Sequence, residues 1–527
     1  MKKLFSSLLC TLVLGTACQT AKVEADVTLK VSADKEYQTM HSFGASDCWR
    51  GQYVGGWPDA KRNQMADWLF SQEMDEKGNP KGIGLSIWRF NIGSGSHEAG
   101  VKGGVETDWR RAECFLSEDG TWDSSKQANQ RWLLEAAKER GVEFTLAFSN
   151  SAPYFMATNG MAHSSLDDPT ANIKDNQYKN FADFMVRACD ELGVDYLSPI
   201  NEPQWDWKGN SQEGMAARNE DCTRLMIELD KSIKEQGSDL TVVFGESGDI
   251  RYLYREGTEK PLRDNQIKEM FREDGIHSIA SLSSVAPIVT GHSYWSTWPL
   301  DTLVTTRTEL KEAIKRDLPE GYTFWQSEYC PMEKNDDNPN GGGGRDLGIE
   351  SALYIARIIH ADLTVADATS WQSWTAFTQC DYKDGLIFIN DTITPNGIKT
   401  WDEAMYETCK TDGEFSDSKY MWAMGNYSLF VRPGMVRVDL TNSIGDTIEE
   451  CKSIMASAYK DPKTGEVVVV AINFSSENSV IDLDIKGSKK AKVYETSETH
   501  NLSYLGEEKL NSYTLPARSI TTFVCSK

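Results

Sequence analysis

A chain of 527 residues, 39% apolar and 25% charged, is too long for one small domain and suits a large barrel with an accessory domain. Its formal net charge of −24 argues against nucleic acid and against anionic membrane surfaces as partners. Of the 11 cysteines, those at 48, 114, 189, 222, 330, 380, 409, 451 and 525 remain once Cys10 and Cys18 are set aside. They form no C-x-x-C pair, and they are odd in number and widely spaced. Zinc ribbons, thioredoxin chemistry and a disulfide framework are therefore not expected, while one or two bridges stay open.

The first residues read as an export signal: Lys2 and Lys3, an apolar run from Leu8 to Leu14, then Gly15-Thr16-Ala17-Cys18. Residues 1–17 are the expected signal peptide and 18–26 a polar tether. Lipidation of Cys18 and ordinary cleavage both fit, so the expected address is outside the cytoplasm, with membrane attachment only through that lipid. No other stretch approaches the roughly 20 apolar residues of a spanning helix. Residues 27–39 begin with an alternating strand, Val27–Val31, expected to join a C-terminal sheet.

Strands and helices then alternate through residues 40–434. Expected strands are Met40–Ala45, Gly84–Ile92, Glu143–Phe148, Tyr196–Ile200, Thr241–Gly245, Ile288–His292, Thr323–Ser327 and Thr369–Trp374. Three- and four-residue apolar spacing marks helices at Arg62–Phe70, Asn129–Arg140, Phe181–Leu192, Arg218–Lys234, Gln266–Glu273, Leu310–Asp317 and Ile349–Ala366, with an eighth near Lys419–Val431. Eight such pairs match a (β/α)8 TIM barrel, an α/β fold. Two long loops interrupt them. Gly93–Asp123 is rich in Gly, Glu and Trp. Glu333–Asp346 lacks the ligand spacing of a calcium loop and reads as a mobile loop. Residues 435–527 change to short β-prone runs joined by turn residues, the pattern of a small β-sandwich.

Catalytic groups of such a barrel come from the carboxyl ends of its strands. Those ends hold Asp47 and Trp49; Arg89 and Asn91; Asn150; Asn201 and Glu202; Glu246; His292, Tyr294 and Trp295; Glu328; and Trp371 and Trp374. Pro203 cannot continue a sheet ladder and pushes Glu202 out of right-handed helical geometry, so its carboxyl points into whatever lies above the barrel. Two glutamates on strand ends are what acid-assisted glycosidic cleavage requires. Indoles offer faces on which sugar rings stack, and amides and carboxylates bind hydroxyls. Trp325, mid-strand, reads as core. Trp295 and Trp374 read as platforms, with Trp205, Trp207 and Trp298 as outer rings.

Five motifs in order give the chain a specific resemblance. Ser42-Phe43-Gly44-Ala45-Ser46-Asp47, Trp88-Arg89-Phe90-Asn91-Ile92-Gly93, Asn201-Glu202-Pro203, His292-Ser293-Tyr294-Trp295 and Ser327-Glu328 resemble glycoside hydrolase family 30 from about residue 27 to the C-terminus. The resemblance implies a barrel with a side β-sandwich built from both chain ends, and retaining hydrolysis without metal or cofactor. Glu202 would protonate the leaving oxygen and then deprotonate water, and Glu328 would attack the anomeric carbon. Arg89 and Tyr294 would orient Glu328, Asn201 would bind the 2-hydroxyl, and Trp374 would floor the subsite before the cleaved bond. Asp47 and His292 join the substrate-binding set, while Glu246 and Glu350 read as structural.

Where glucosylceramidase-like members carry a tryptophan after strand three, this chain has Asn150. With Gly44-Ala45-Ser46-Asp47-Cys48-Trp49, that makes it look most like the endo-β-1,6-galactanase branch. A short amide could accommodate, and hydrogen-bond, an axial 4-hydroxyl. The expectation is thus a monomer acting on a β-linked polysaccharide or oligosaccharide. A β-1,6-glucanase, a xylanase or β-xylosidase, and a glucosylceramidase-like β-glycosidase stand behind it. The rival from another class is a non-catalytic glycan-binding lipoprotein, which would have no need of two strand-end glutamates.

Overall fold

A computed structural model describes residues 25–165, 169–209, 211–390 and 407–526. The signal and Cys18 lie outside them. Strand β1 (Val27–Thr39) is followed by β2 (Ser42–Ser46), β3 (Ile87–Ile92), β4 (Phe144–Ser149), β5 (Tyr196–Ser198), β6 (Thr241–Ser247), β7 (Val285–His292), β8 (Thr323–Tyr329) and β9 (Ala368–Ser373). The eight strands β2–β9 form a closed barrel, parallel throughout and sealed where Ser42 to Ala45 pair with Ser370 to Ser373. Helices cover its outside, so most of these strands are buried on both faces. This is why they read as apolar runs rather than as alternating ones. Trp325 is core, edge-on to Tyr196 with ring centroids 5.2 Å apart.

Three elements depart from the sequence reading of the barrel region. The helix expected at Leu310–Asp317 begins at Leu300, directly after Pro299; its first turns, with Thr302, Val304, Thr305 and Thr306, are β-branched and carry weak helical signal. The segment Gln266–Glu273 forms a five-residue π-helix, Ile267–Phe271. A small sheet also follows β9: β10 (Thr375–Thr378), β11 (Gly385–Asn390) and β12 (Glu414–Asp417).

The second body contains β13 (Val436–Asn442), β14 (Ile454–Lys460), β15 (Val467–Asn473), β16 (Ser479–Ile485), β17 (Lys490–Thr496), β18 (Ser503–Lys509), β19 (Tyr513–Leu515) and β20 (Ser519–Cys525). Strand β1 lies between β13, antiparallel, and β16, parallel, so the N-terminal strand belongs to this β-sandwich. Strand β15 shows how the two bodies join. Val468, Val470 and Ile472 point into the barrel-side core, and Val467, Val469 and Ala471 into the sandwich core. Alternate side chains leave a strand on opposite faces, so both faces are dry, and each buried valine stabilises by roughly 1.5–3 kcal/mol.

The segment read as a mobile loop is well tied. Arg345 donates to the carbonyls of Cys380 and Ile389 at 2.9 Å each, and Arg357 bonds Asp337 at 2.6 Å. All nine described cysteines are buried thiols, so no disulfide forms among the described residues.

Candidate active site

Five barrel strands deliver charged groups to one place. Arg89 comes from β3, Glu202 follows β5, Glu246 lies in β6, His292 ends β7 and Glu328 lies in β8. Facing oxygens of Glu202 and Glu328 lie within 4.8 Å of each other, and both are within that distance of His292 Nδ1. Direct attack on a sugar carbon uses carboxyl groups about 5–5.5 Å apart, whereas an intervening water needs about 6.5–9.5 Å. The spacing fits direct attack.

The contacts close into a ring. Arg89 Nη1 donates to Glu328 Oε2 at 2.6 Å, and Tyr294 Oη donates to Glu328 Oε1 at 3.2 Å. Arg89 Nη2 reaches Asn201 Oδ1 at 3.0 Å and Glu246 Oε2 at 3.3 Å. His292 stands between two carboxylates, with Nδ1 2.9 Å from Glu202 Oε1 and Nε2 2.8 Å from Glu246 Oε2. Glu246 Oε2 accepts from Nε2, and an imidazole protonated on both nitrogens also donates from Nδ1 to Glu202 Oε1.

Electrostatics follow from these contacts. Burial opposes a charge on His292, but Glu328 and the bonds to Glu202 and Glu246 outweigh it and raise the imidazole to about 10. Burial also opposes the Glu246 charge, yet Arg89 and His292 pull that carboxyl down to about 2. Burial raises Glu328, His292 and Arg89 pull it back, Glu202 raises it again, and the net direction is upward. Near neutral pH, two cations therefore face ionised Glu246 and two further carboxyls. The cluster is neutral when Glu202 and Glu328 share one proton. Arg89 and Tyr294 both donate to Glu328, and these bonds favour its ionised form against the burial that raises it. A metal held by Glu202, His292 and Glu328 would need the imidazole proton removed against these charges, so the donor set suits proton transfer.

Backbone strain gathers at the same strand ends. Glu202, Glu246 and Trp295 have φ of 45°, 41° and 53°, in the left-handed region that non-glycine residues rarely adopt. Such conformations cost about 1–3 kcal/mol each and persist where the surroundings over-determine them. Here the Glu202 N–H donates to the Glu246 carbonyl at 3.0 Å, and Trp207 Nε1 to the Glu202 carbonyl at 3.0 Å.

Above the ring opens a cleft of about 470 Å³. Asn201, Glu202, Tyr294, Glu328 and Trp374 line it, together with Trp49, Trp205, Trp207 and Trp295. The other expected binding residues do not. Asp47 is fully buried, accepting from the Asn91 N–H at 2.9 Å and from Gln130 at 3.0 Å, and burial raises its carboxyl to about 7. Asn150 donates to Asn91 Oδ1 at 3.0 Å beneath the surface. Arg89 and His292 are likewise fully enclosed; Arg89 meets Glu328, as the resemblance implied, and His292 bonds Glu202 and Glu246 rather than facing the cleft. Trp298 is not among the lining rings. For Asp47, Asn150 and His292 the cause is the same: the end of a strand was known, but not which face its last side chains take.

Six lining groups were not foreseen: Arg110, Gln212, Cys330, Met332, Tyr382 and Asp384. Arg110 lies 4.2 Å from the Trp49 ring centroid and donates to Gln212 at 3.2 Å. It comes from the long loop after β3, which Glu213 pins by accepting from the backbone and hydroxyls of Ser94 and Ser96. Tyr382 and Asp384 stand between β10 and β11. No periodic pattern marks either segment.

The family model for O-Glycosyl hydrolase family 30 matches residues 26–388, and that for the Glycosyl hydrolase family 30 beta sandwich domain matches residues 434–523. The chain belongs to glycoside hydrolase family 30. It is 26% identical over 227 residues to an endo-β-1,6-galactanase of Hypocrea rufa, covering 38% of this chain and 45% of that protein. To an exo-β-1,6-galactobiohydrolase of Bifidobacterium longum subsp. longum it is 27% identical over 146 residues, covering 25% of this chain and 10% of that one. The chain thus matches less than half the length of these curated relatives. The crystal structure of a conserved exported protein from Bacteroides fragilis is 38% identical, covers 94% of this chain and 100% of its own, and superposes with a TM-score of 0.87.

Proposed function

We propose that the chain is a retaining glycoside hydrolase, and that its substrate is a β-1,6-linked galactan cleaved internally. The approach of Glu202 and Glu328 to within 4.8 Å at the bottom of an aromatic cleft carries the reading. In the first step a Glu328 oxygen bonds to the anomeric carbon as the glycosidic C–O bond breaks, and the Glu202 proton passes to the leaving oxygen. In the second, Glu202 takes a proton from water, whose oxygen displaces Glu328 from the same carbon. Asn201, held by Arg89, would bind the 2-hydroxyl. Trp205, Trp207 and Trp295 flank Glu202 on the leaving-group side. Trp49 and Trp374, 5.2 Å apart and edge-to-face, border the side of the retained sugar.

The linkage rests on two of the curated relatives, which are named for β-1,6-linked galactose. Asn150 supports it less directly than its sequence position suggested, because its amide is turned beneath the cleft toward Asn91. We further propose export, on the leader-like first residues and on the likeness to a protein described as exported.

The test is hydrolysis of β-1,6-galactan beside β-1,6-glucan and xylan, with the anomer formed first read by proton NMR. Galactan cleavage with the β-anomer released first is expected. Preference for glucan or xylan refutes the sugar, and an α-anomer released first refutes the mechanism. Turnover surviving in Glu202→Gln or Glu328→Gln refutes the assigned roles.

A further inference from the structure

Glu246 is set apart by its contacts. It has no exposed surface and does not line the cleft, yet its Oε2 is shared by both cations that reach the carboxylates above. His292, 2.8 Å away, continues to Glu202; Arg89, 3.3 Å away, continues to Glu328. Every strand packed against it contributes. Ser327 Oγ of β8 donates to the same oxygen at 3.0 Å, Thr290 Oγ1 of β7 accepts the Glu246 N–H at 2.9 Å, and the Glu246 carbonyl accepts the Glu202 N–H. The charged groups facing it are Arg89 and His292 directly, with Glu328 and Glu202 beyond them.

We propose that Glu246 is a positioning residue of the reaction: a fixed anion beneath the two catalytic carboxyls that holds the His292 and Arg89 cations in place while negative charge moves from Glu328 to Glu202. The inference rests on the retaining mechanism and not on the identity of the sugar.

The reason is charge balance. Before the first step Glu328 carries −1 and Glu202 carries a proton. After it, Glu328 is a neutral ester and Glu202 carries −1. With Arg89, His292 and Glu246 unchanged, the five groups sum to zero in both states. The anion moves from the side of Arg89 to the side of His292, and each cation meets it in turn. Without Glu246 the cluster would carry +1 in both states, which favours early loss of the Glu202 proton and so weakens the acid on which the first step depends. A group that merely filled space would alter neither the titration nor the dependence on the leaving group.

Glu246→Gln keeps shape and removes charge. Wild type is first assayed on β-1,6-galactan, β-1,6-glucan and xylan; failure on all three, or an α-anomer released first, defeats the functional reading separately. On the polymer that is cleaved, the basic limb of kcat/KM for Glu246→Gln should move to lower pH by about one to two units, the effect of one charge acting over a few ångströms of protein interior. On a dinitrophenyl glycoside of the same sugar, whose leaving group needs no proton, the loss in kcat/KM should shrink by about tenfold or more. A basic limb that stays in place, with equal losses on both substrates, overturns the proposal. Should Glu246→Gln not fold, Glu246→Asp is read instead. A limb within half a unit of wild type despite a slower rate supports the charge argument, and a displaced limb overturns it.

Discussion

The floor and the walls of the cleft are built by different means. Arg89, Glu246 and His292 are fully enclosed, stand on consecutive or facing barrel strands, and bond one another at 2.6–3.3 Å within a ring that includes the two cleft carboxyls. The walls are indoles, an arginine, an amide and a carboxylate carried on connections between elements, and Trp295 is 44% exposed. A closed parallel barrel fixes strand ends to fractions of an ångström, which bond making requires. Sugar recognition asks only for flat rings and hydroxyl partners in reach, which loops can supply and vary. The floor therefore tells what reaction is done, and the walls tell on what.

The largest expected effect lies in the floor. Glu328→Ala removes the nucleophile and should lower kcat by roughly 10⁴- to 10⁶-fold, the scale seen when a nucleophile that acts in concert with its partners is lost. Glu202→Ala should lower it by roughly 10²- to 10⁴-fold on polymer, and by much less in the first step on a dinitrophenyl glycoside. Initial-rate and burst measurements separate the two. A Glu328→Ala protein that retains a tenth of wild-type turnover would place the chemistry elsewhere.

Next comes the locking of the floor. Arg89→Met takes from Glu246 and Glu328 one of the two cations they share, and breaking such a buried pair destabilises by about 3–5 kcal/mol. Urea unfolding with a loss below about 1 kcal/mol would show that the ring is not held as its distances imply.

Titration sharpens the same contrast. Asp47 and Glu213 are raised by burial from 3.8 and 4.5 to about 7, and His292 is raised from 6.5 to about 10. Each binds its proton more tightly folded than unfolded, so its contribution is complete below the unfolded value and lost as pH rises to the folded one. Glu246, lowered from 4.5 to about 2, contributes above 4.5 and loses this as pH falls toward 2. Thermal melting should therefore be highest near pH 4.5 and fall in two stages, one by about pH 7 and one between 6.5 and 10. Asp47→Asn should shrink the first stage to the Glu213 contribution and leave the second. A melting temperature that climbs steadily from pH 5 to 9 would contradict the assigned directions.

What was legible in the sequence divides along the same line. The eight strands could be read because fully buried strands are apolar throughout and end in polar residues. Glu202 and Glu328 followed from their place after such runs. The resemblance implied the Arg89 and Tyr294 contacts to Glu328, but the rest of the ring did not follow. Glu246 ends a strand in Gly245-Glu246-Ser247, and nothing local separates it from a structural carboxylate. His292 and Asp47 were read as facing sugar, although one bonds two glutamates and the other a buried amide, because strand alternation fails at the irregular ends where their faces are decided. Arg110, Tyr382 and Asp384 were invisible, since the segments bearing them have no period and reach the cleft only through long-range packing.

The smallest effects belong to the walls, and they distinguish a ring in the cleft from a ring merely near it. Trp295 lines the cleft, edge-on to Trp205 at 4.9 Å between centroids, with its backbone N–H held by Glu333 at 2.5 Å. An aromatic contact of this kind contributes about 0.5–1.5 kcal/mol beyond area burial, so Trp295→Ala should raise KM roughly 3- to 10-fold and leave kcat within about twofold. Trp298, three residues on, packs partly buried against the barrel-side core and does not line the cleft. Its removal should lower the melting temperature with KM unchanged, because lost packing acts on the folded state and not on the bound sugar. If Trp298→Ala raised KM as much as Trp295→Ala, the wall would extend over the Pro299 turn and the cleft would be longer than its lining shows. If neither changed KM, the leaving-group side would rest on Trp205 and Trp207, the two rings packed against Glu202 itself.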